Sequence, residues 1–116
     1  MPVGHVKDLN RIEIINPSVL HTSMKALVSP AEGWEGYVMR VVEVEENGYT
    51  PKHNHPWPHI NYMIEGNGEL EIDGVIHQVS SGSYAFVPGN ALHQFRNAGK
   101  SVFKFICIVP KEGHIY

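Results

Sequence analysis

The stretch HNHPWPH, residues 53–59, holds three of the chain's eight histidines and sets a proline–tryptophan–proline corner between the second and third. His53 and His55 are two apart, so on an extended segment they share a face. Pro56 and Pro58 have no amide hydrogen for a ladder, so the segment must end or turn there. His59 then opens the next alternating run, close in space to the first two. Each buried imidazole needs a partner for its ring nitrogens. A divalent metal supplies one for all three at once, whereas the alternative is a surface loop with scattered histidines. A second segment, GSYAFVPGNALHQFRN over 82–97, carries the turn Pro88-Gly89-Asn90 followed by His93. His93 shares its face with Phe95 and Asn97, as His59 does with Asn61 and Met63.

The elements that would carry these residues are strands. No window shows apolar residues at helical spacing over three turns; short period-two runs separated by Gly, Pro and Asn dominate. The pattern predicts strands over 25–28, 37–44, 59–65, 69–72, 75–79, 84–87, 93–97 and 102–109. Asp73-Gly74 supplies the positive φ angles of a two-residue hairpin turn, and Gly66–Gly68 and Asn97–Gly99 mark two more turns. Many short strands in one small unit imply a sandwich or barrel.

Alternation also assigns faces. Val38, Arg40, Val42 and Val44 point inward and Glu43 and Glu45 outward, which leaves Arg40 on an apolar inner face, either snorkelling to the rim or serving a pocket. Phe103, Phe105, Cys107 and Val109 point inward and Lys104 outward. Cys107 is then an interior residue, a small hydrophobe or a pocket group. On the opposite faces, Ile60, Tyr62, Ile64, Val102, Ile106 and Ile108 form surfaces too apolar to be left in water. They are covered by a loop or the N-terminal segment, or by a second copy in a homodimer.

Length and charge bound the rest. At 116 residues with a formal charge of −3, acids and bases interspersed, the chain reads as one domain over 1–116 with no nucleic-acid or anionic-membrane partner. No apolar run approaches the roughly 20 residues that cross a bilayer, and the first residues lack a signal-peptide core. A single cysteine excludes an intrachain disulfide, and a cytoplasmic location is expected.

The two histidine segments resemble the cupin superfamily, a double-sheet β-barrel of the jelly-roll type. Its first motif reads G-x5-HxH-x3,4-E-x6-G. Here Gly48, four residues, His53-x-His55, three residues, His59, six residues and Gly66 follow it over 48–66, one residue short in the first spacing. The second reads G-x5-PxG-x2-H-x3-N, matched over 82–97 by Gly82, Pro88-Gly89-Asn90, His93 and Asn97. Asn90 replaces a turn glycine, a mild change because Asn tolerates the left-handed region. His59 replaces the usual glutamate ligand.

The resemblance implies an all-β cupin barrel with one divalent transition metal (Mn, Fe, Cu, Ni or Zn) held by His53, His55, His59 and His93, as in the small single-domain, all-histidine subgroup. Four neutral ligands leave the metal's charge uncompensated and favour anionic ligands. His5, His21, His77 and His114 fall outside both motifs and are expected to be surface or structural. The expected pocket wall is Arg40, Val42, Met63, Phe95, Phe105 and Cys107, mostly apolar, which suits a small aromatic, enol or enolate substrate. Cupins with this ligand pattern resemble metal-dependent oxygenases, so an oxidoreductase of the dioxygenase type is expected. The alternatives are a binding cupin without turnover, or a metal-dependent isomerase or decarboxylase. The last would want a carboxylate or lysine near the metal, and Glu65 and Glu69 are not placed for it.

Overall fold

A computed structural model describes residues 3–114. Among them, nine strands follow in order: β1 (Ile12–Glu13), β2 (Leu20–Val28), β3 (Tyr37–Tyr49), β4 (His59–Glu65), β5 (Asn67–Ile72), β6 (Val75–Ser80), β7 (Tyr84–Val87), β8 (His93–Asn97) and β9 (Phe103–Pro110). The only helical elements among the described residues are three short 3-10 turns, the last at Lys111–Gly113. Every run expected from alternation is a strand. β1 and the first half of β2 were not foreseen, because their residues do not alternate and pairing with β3 holds them extended. The Gly66–Gly68 turn narrows to Gly66, since β5 already starts at Asn67. Asp73 and Gly74 have φ of 48° and 84°, as a two-residue turn between right-twisting strands requires.

The strand order is β6-β5-β8-β3-β9-β4-β7, with β2 on β3 and β1 on β2. One layer holds β2, β3, β9, β4 and β7. The other holds β6, β5 and β8 and joins the first where Tyr49 of β3 pairs with Arg96 of β8. β6 and β7 end the main path of a nearly closed barrel, and the two-residue β1 is the edge beyond β2.

The inward residues fill the space between the layers. Val38, Val42 and Val44 of β3 pack with Phe103, Phe105, Cys107 and Val109 of β9, and with Met24, Met63, Leu70, Val87 and Phe95. The Phe95 and Phe105 rings stack with centroids 4.2 Å apart. Both face assignments made from alternation hold, including Arg40 inside and Lys104 outside. Val41, on the outward parity, is also buried. It lies beside Lys25, whose Nζ donates to the Val6 carbonyl at 3.0 Å and holds the N-terminal segment there.

Candidate metal centre

Three pieces of chain meet at one end of the barrel. His59 begins β4 opposite Val87, and His93 begins β8 opposite Ile72. His53 and His55 are not on a strand, as their spacing suggested. β3 has ended at Tyr49, and the segment that follows is sewn to β8 instead. The Thr50 amide donates to the Phe95 carbonyl at 2.9 Å, and the Phe95 amide donates to Thr50 Oγ1 at 2.9 Å. His53 then exchanges both backbone bonds with His93, at 3.1 and 3.0 Å, in an isolated bridge. The turn of the second motif holds the loop beyond. Asn90, at φ 70° as its tolerance of that region allows, donates its amide to the His55 carbonyl at 2.7 Å. Gly89 must be glycine, because a β-carbon there would overlap the Pro56 carbonyl.

The result is a cluster of imidazoles. His53, His55 and His93 each offer a ring nitrogen within 4.8 Å of the other two. His59 joins through His93, with Nε2 to Nε2 at 3.1 Å. Three of the rings have their other nitrogen committed. Nδ1 of His55 donates to the Trp57 carbonyl at 2.7 Å, Nδ1 of His93 to the Ala91 carbonyl at 2.9 Å, and Nδ1 of His59 to Asn61 Oδ1 at 2.6 Å. Asn61 is oriented for this because its Nδ2 donates to the Ile106 carbonyl at 3.4 Å. Carbonyl oxygens only accept, so each Nδ1 carries the proton and each neutral ring leaves Nε2 bare.

Burial pushes the basicity of His59 down to about 3 and that of His53 to about 4, with neighbouring imidazoles and Arg40 adding to the effect. His93 is lowered too, mainly by burial. His53, His59 and His93 are therefore neutral near pH 7. Two bare lone pairs 3.1 Å apart repel unless a cation lies between them. Nitrogens in cis positions of an ion with bonds of about 2.0–2.1 Å sit about 3 Å apart. The donor set fits a transition-metal ion, with carbonyls holding the outer nitrogens as metal sites require.

A cavity of about 230 Å³ opens from the cluster into the barrel. Arg40, Val42, Phe95, Phe105 and Cys107 line it, as expected, while Met63 does not and is wholly buried in the core. Arg40 is 8% exposed and does not snorkel. Its Nη1 lies 3.3 Å from His114 Nδ1 and donates to the Gly113 carbonyl at a long 3.5 Å. Among the described residues no aspartate or glutamate lines the cavity.

His5, His21 and His77 are exposed, whereas His114 is half-buried, and burial, with the Arg40 guanidinium beside it, lowers its basicity. Sequence reasoning assigned no role to Asn61 or Trp57. The signal for Asn61 was an amide among inward apolar residues, two positions from a histidine.

The cupin domain family profile matches residues 40–109, more than half of the sequence, and the chain belongs to that family. Among solved structures, the polyketide cyclase RemF from Streptomyces resistomycificus superposes with a TM-score of 0.88 at 28% identity, over 95% of this chain and 79% of that one. A predicted oxalate decarboxylase from Thermotoga maritima matches at 17% identity and TM-score 0.83, over 94% of this chain and 98% of the other. A sugar phosphate isomerase of the cupin superfamily from Silicibacter pomeroyi matches at 22% and 0.81, over 94% and 75%. The last two share the fold. No curated protein matches the sequence.

Proposed function

We propose that this cupin holds one divalent transition metal through Nε2 of His55, His59 and His93 and a ring nitrogen of His53, and acts on a small, enolisable carbonyl compound of aromatic or polyketide type. The observation that carries this reading is the set of bare, carbonyl-oriented imidazole nitrogens at the head of an apolar, aromatic cavity. When bound, the metal supplies Lewis acidity that stabilises an enolate oxygen. The chain's own residues do the rest. Phe95, Phe105 and Val42 exclude water and select a flat apolar body, and the Arg40 guanidinium, the cation of the cavity wall, draws an anionic oxygen inward. The volume lies below the usual range of about 300–1,000 Å³ for ligand sites, which suits one or two rings.

Ring closure without oxidation is the first reading, supported by the 28% identity with a polyketide cyclase over nearly the whole chain. Oxidative chemistry of the dioxygenase type is the second. It is favoured by the four-nitrogen donor set, because a six-coordinate ion so held keeps two positions for further ligands. A carboxylate-based isomerase or decarboxylase finds no support in the cavity wall. Glu65 and Glu69 lie in surface ion pairs with Lys104 at 3.7 Å and Arg96 at 3.3 Å.

The test is to load metal-free protein with zinc or ferrous iron and offer a panel of diketones and polyphenols, following oxygen uptake and product mass. Turnover with zinc, with product mass unchanged or reduced by water, is expected. Turnover only with iron, with oxygen gained, would select the second reading. Tight binding without turnover under either metal would make the protein a binding module.

The proposal extends to a homodimer formed through the exposed apolar face of β4 and β7, and to a cytoplasmic location. The free, buried Cys107 thiol suits a reducing compartment, and no helix among the described residues is long and apolar enough to cross a membrane.

A further inference from the structure

We propose that Trp57 is a positioning residue for His55, and that Gly113 of the C-terminal 3-10 turn provides the seat for its indole. The inference rests on the reading of His55 as a metal ligand. His59 and His93 are held by the ladders of β4 and β8, and His53 by its backbone bridge to His93. His55 has no ladder. Its carbonyl is held by Asn90, and both the hydrogen-bond acceptor and the stacked face of its ring come from Trp57. Nδ1 donates to the Trp57 carbonyl at 2.7 Å, and the imidazole lies flat on the Trp57 indole, with centroids 4.8 Å apart and planes 11° from parallel. The hydrogen bond fixes the tautomer and the stack fixes the plane, so Nε2 is aimed at the other three rings.

The indole is itself constrained. Pro58 confines the Trp57 backbone to extended conformations. Along its pyrrole edge, a β-carbon at Gly113 would come within 2.5 Å of the indole Nε1 and 3.0 Å of its Cδ1. Gly113 is buried, and of the three residues of its turn it alone is. The space a side chain would need there is taken by the indole edge and by Val109 Cγ2, which the same β-carbon would meet at 2.5 Å. The C-terminal turn thus sets the plane of an imidazole in the first histidine motif, through one aromatic ring. Metal binding draws electron density from the imidazole, and an electron-poor ring is held more strongly on an indole face. The stack therefore favours the loaded state over the metal-free one.

The test is the affinity of the purified full chain for cobalt(II), measured by competition with a chelator. Trp57→Leu keeps the backbone carbonyl and the apolar bulk but removes the ring face. It is expected to weaken cobalt binding about 2- to 10-fold, the scale of one aromatic pair, since the hydrogen bond to the carbonyl is retained. Trp57→Phe, which keeps a ring, is expected to lose much less. In a His55→Ala background Trp57→Leu should add no further loss, because its effect runs through His55. Should Trp57→Leu fail to fold, Gly113→Ala displaces the indole with Trp57 in place and is expected to weaken binding as well. Cobalt affinity unchanged in these variants, or an equal further loss in the His55→Ala background, would overturn the proposal. A His55→Ala protein that binds cobalt as tightly as the parent would overturn the ligand reading itself, which is a separate result.

Discussion

An imidazole holds a metal only through a nitrogen free of its proton, so the effect of burial on basicity decides whether four of them can share one corner. Here burial acts in favour of binding. His53 and His59 are lowered from 6.5 to about 4 and about 3. The same shifts act on the stability of the metal-free protein. The unfolded chain takes up protons below about pH 6.5 that the folded chain refuses until the lower values are reached. In that window the unfolded state binds more protons, so stability falls as pH falls; above it these groups add no slope. Thermal melts of chelator-treated protein should therefore show a midpoint level above about pH 6.5 that drops steadily towards pH 4. Metal-loaded protein should resist to lower pH, because the ion competes with protons for the same nitrogens. A metal-free midpoint that stays level down to pH 4 would contradict the burial of neutral rings.

Of the four clustered histidines, His59 and His93 begin strands and His53 and His55 lie in the connection before β4, so the connections matter more than the strands. The β5–β6 turn illustrates this. Asp73 exchanges backbone and side-chain bonds with Leu92, its amide donating to the Leu92 carbonyl at 2.7 Å and its Oδ1 accepting from the Leu92 amide at 2.9 Å. That pins the chain immediately before His93. Asp73→Ala removes the acceptor and places alanine at a φ of 48°, where aspartate is better tolerated. A loss of about 1–2 kcal/mol from the hydrogen bond and the backbone together is expected in denaturant unfolding. Metal affinity should fall with it, since the residue before His93 loses one of its two bonds to the turn. Unchanged stability would mean that the ladder alone holds the start of β8.

At the scale of the whole molecule, the outer face of the larger sheet stands out. Across β7, β4 and β9 the register aligns Phe86 with Ile60 and Ile108, and Tyr84 with Tyr62 and Ile106. Phe86, Ile60, Tyr62 and Tyr84 are 60%, 54%, 49% and 83% exposed, a contiguous apolar surface of the kind that marks an association site. A two-fold axis would set this face against the same face of a second copy. The protein is expected to sediment as a dimer at micromolar concentration. Ile60→Asp, which sets like charges face to face across that axis, should give a folded monomer that still binds metal, because the site opens on the other side of the sheet. A parent protein that is monomeric at that concentration would remove the dimer from the proposal.

Much of this protein was legible in the sequence because it depends on local chemistry. Alternation decides which way a strand residue points, so the placement of Arg40 and Cys107 inside and of Lys104 outside needed no coordinates. Turn residues announce themselves, as Asp73-Gly74 and Asn90 do. The carbonyl partners of His55, His59 and His93 each lie two residues away in sequence, yet only the folded backbone reveals that carbonyls rather than amides face the rings. Tertiary structure alone decided the rest. It took His53 and His55 off a strand, because the segment after β3 pairs with β8 rather than continuing its own ladder. It placed Met63 in the core rather than on the cavity wall, a matter of depth that alternation does not encode. It set two nitrogens 34 residues apart at 3.1 Å and laid Trp57 against Gly113. Those contacts depend on how two layers close on each other, and no short window of sequence carries that distance.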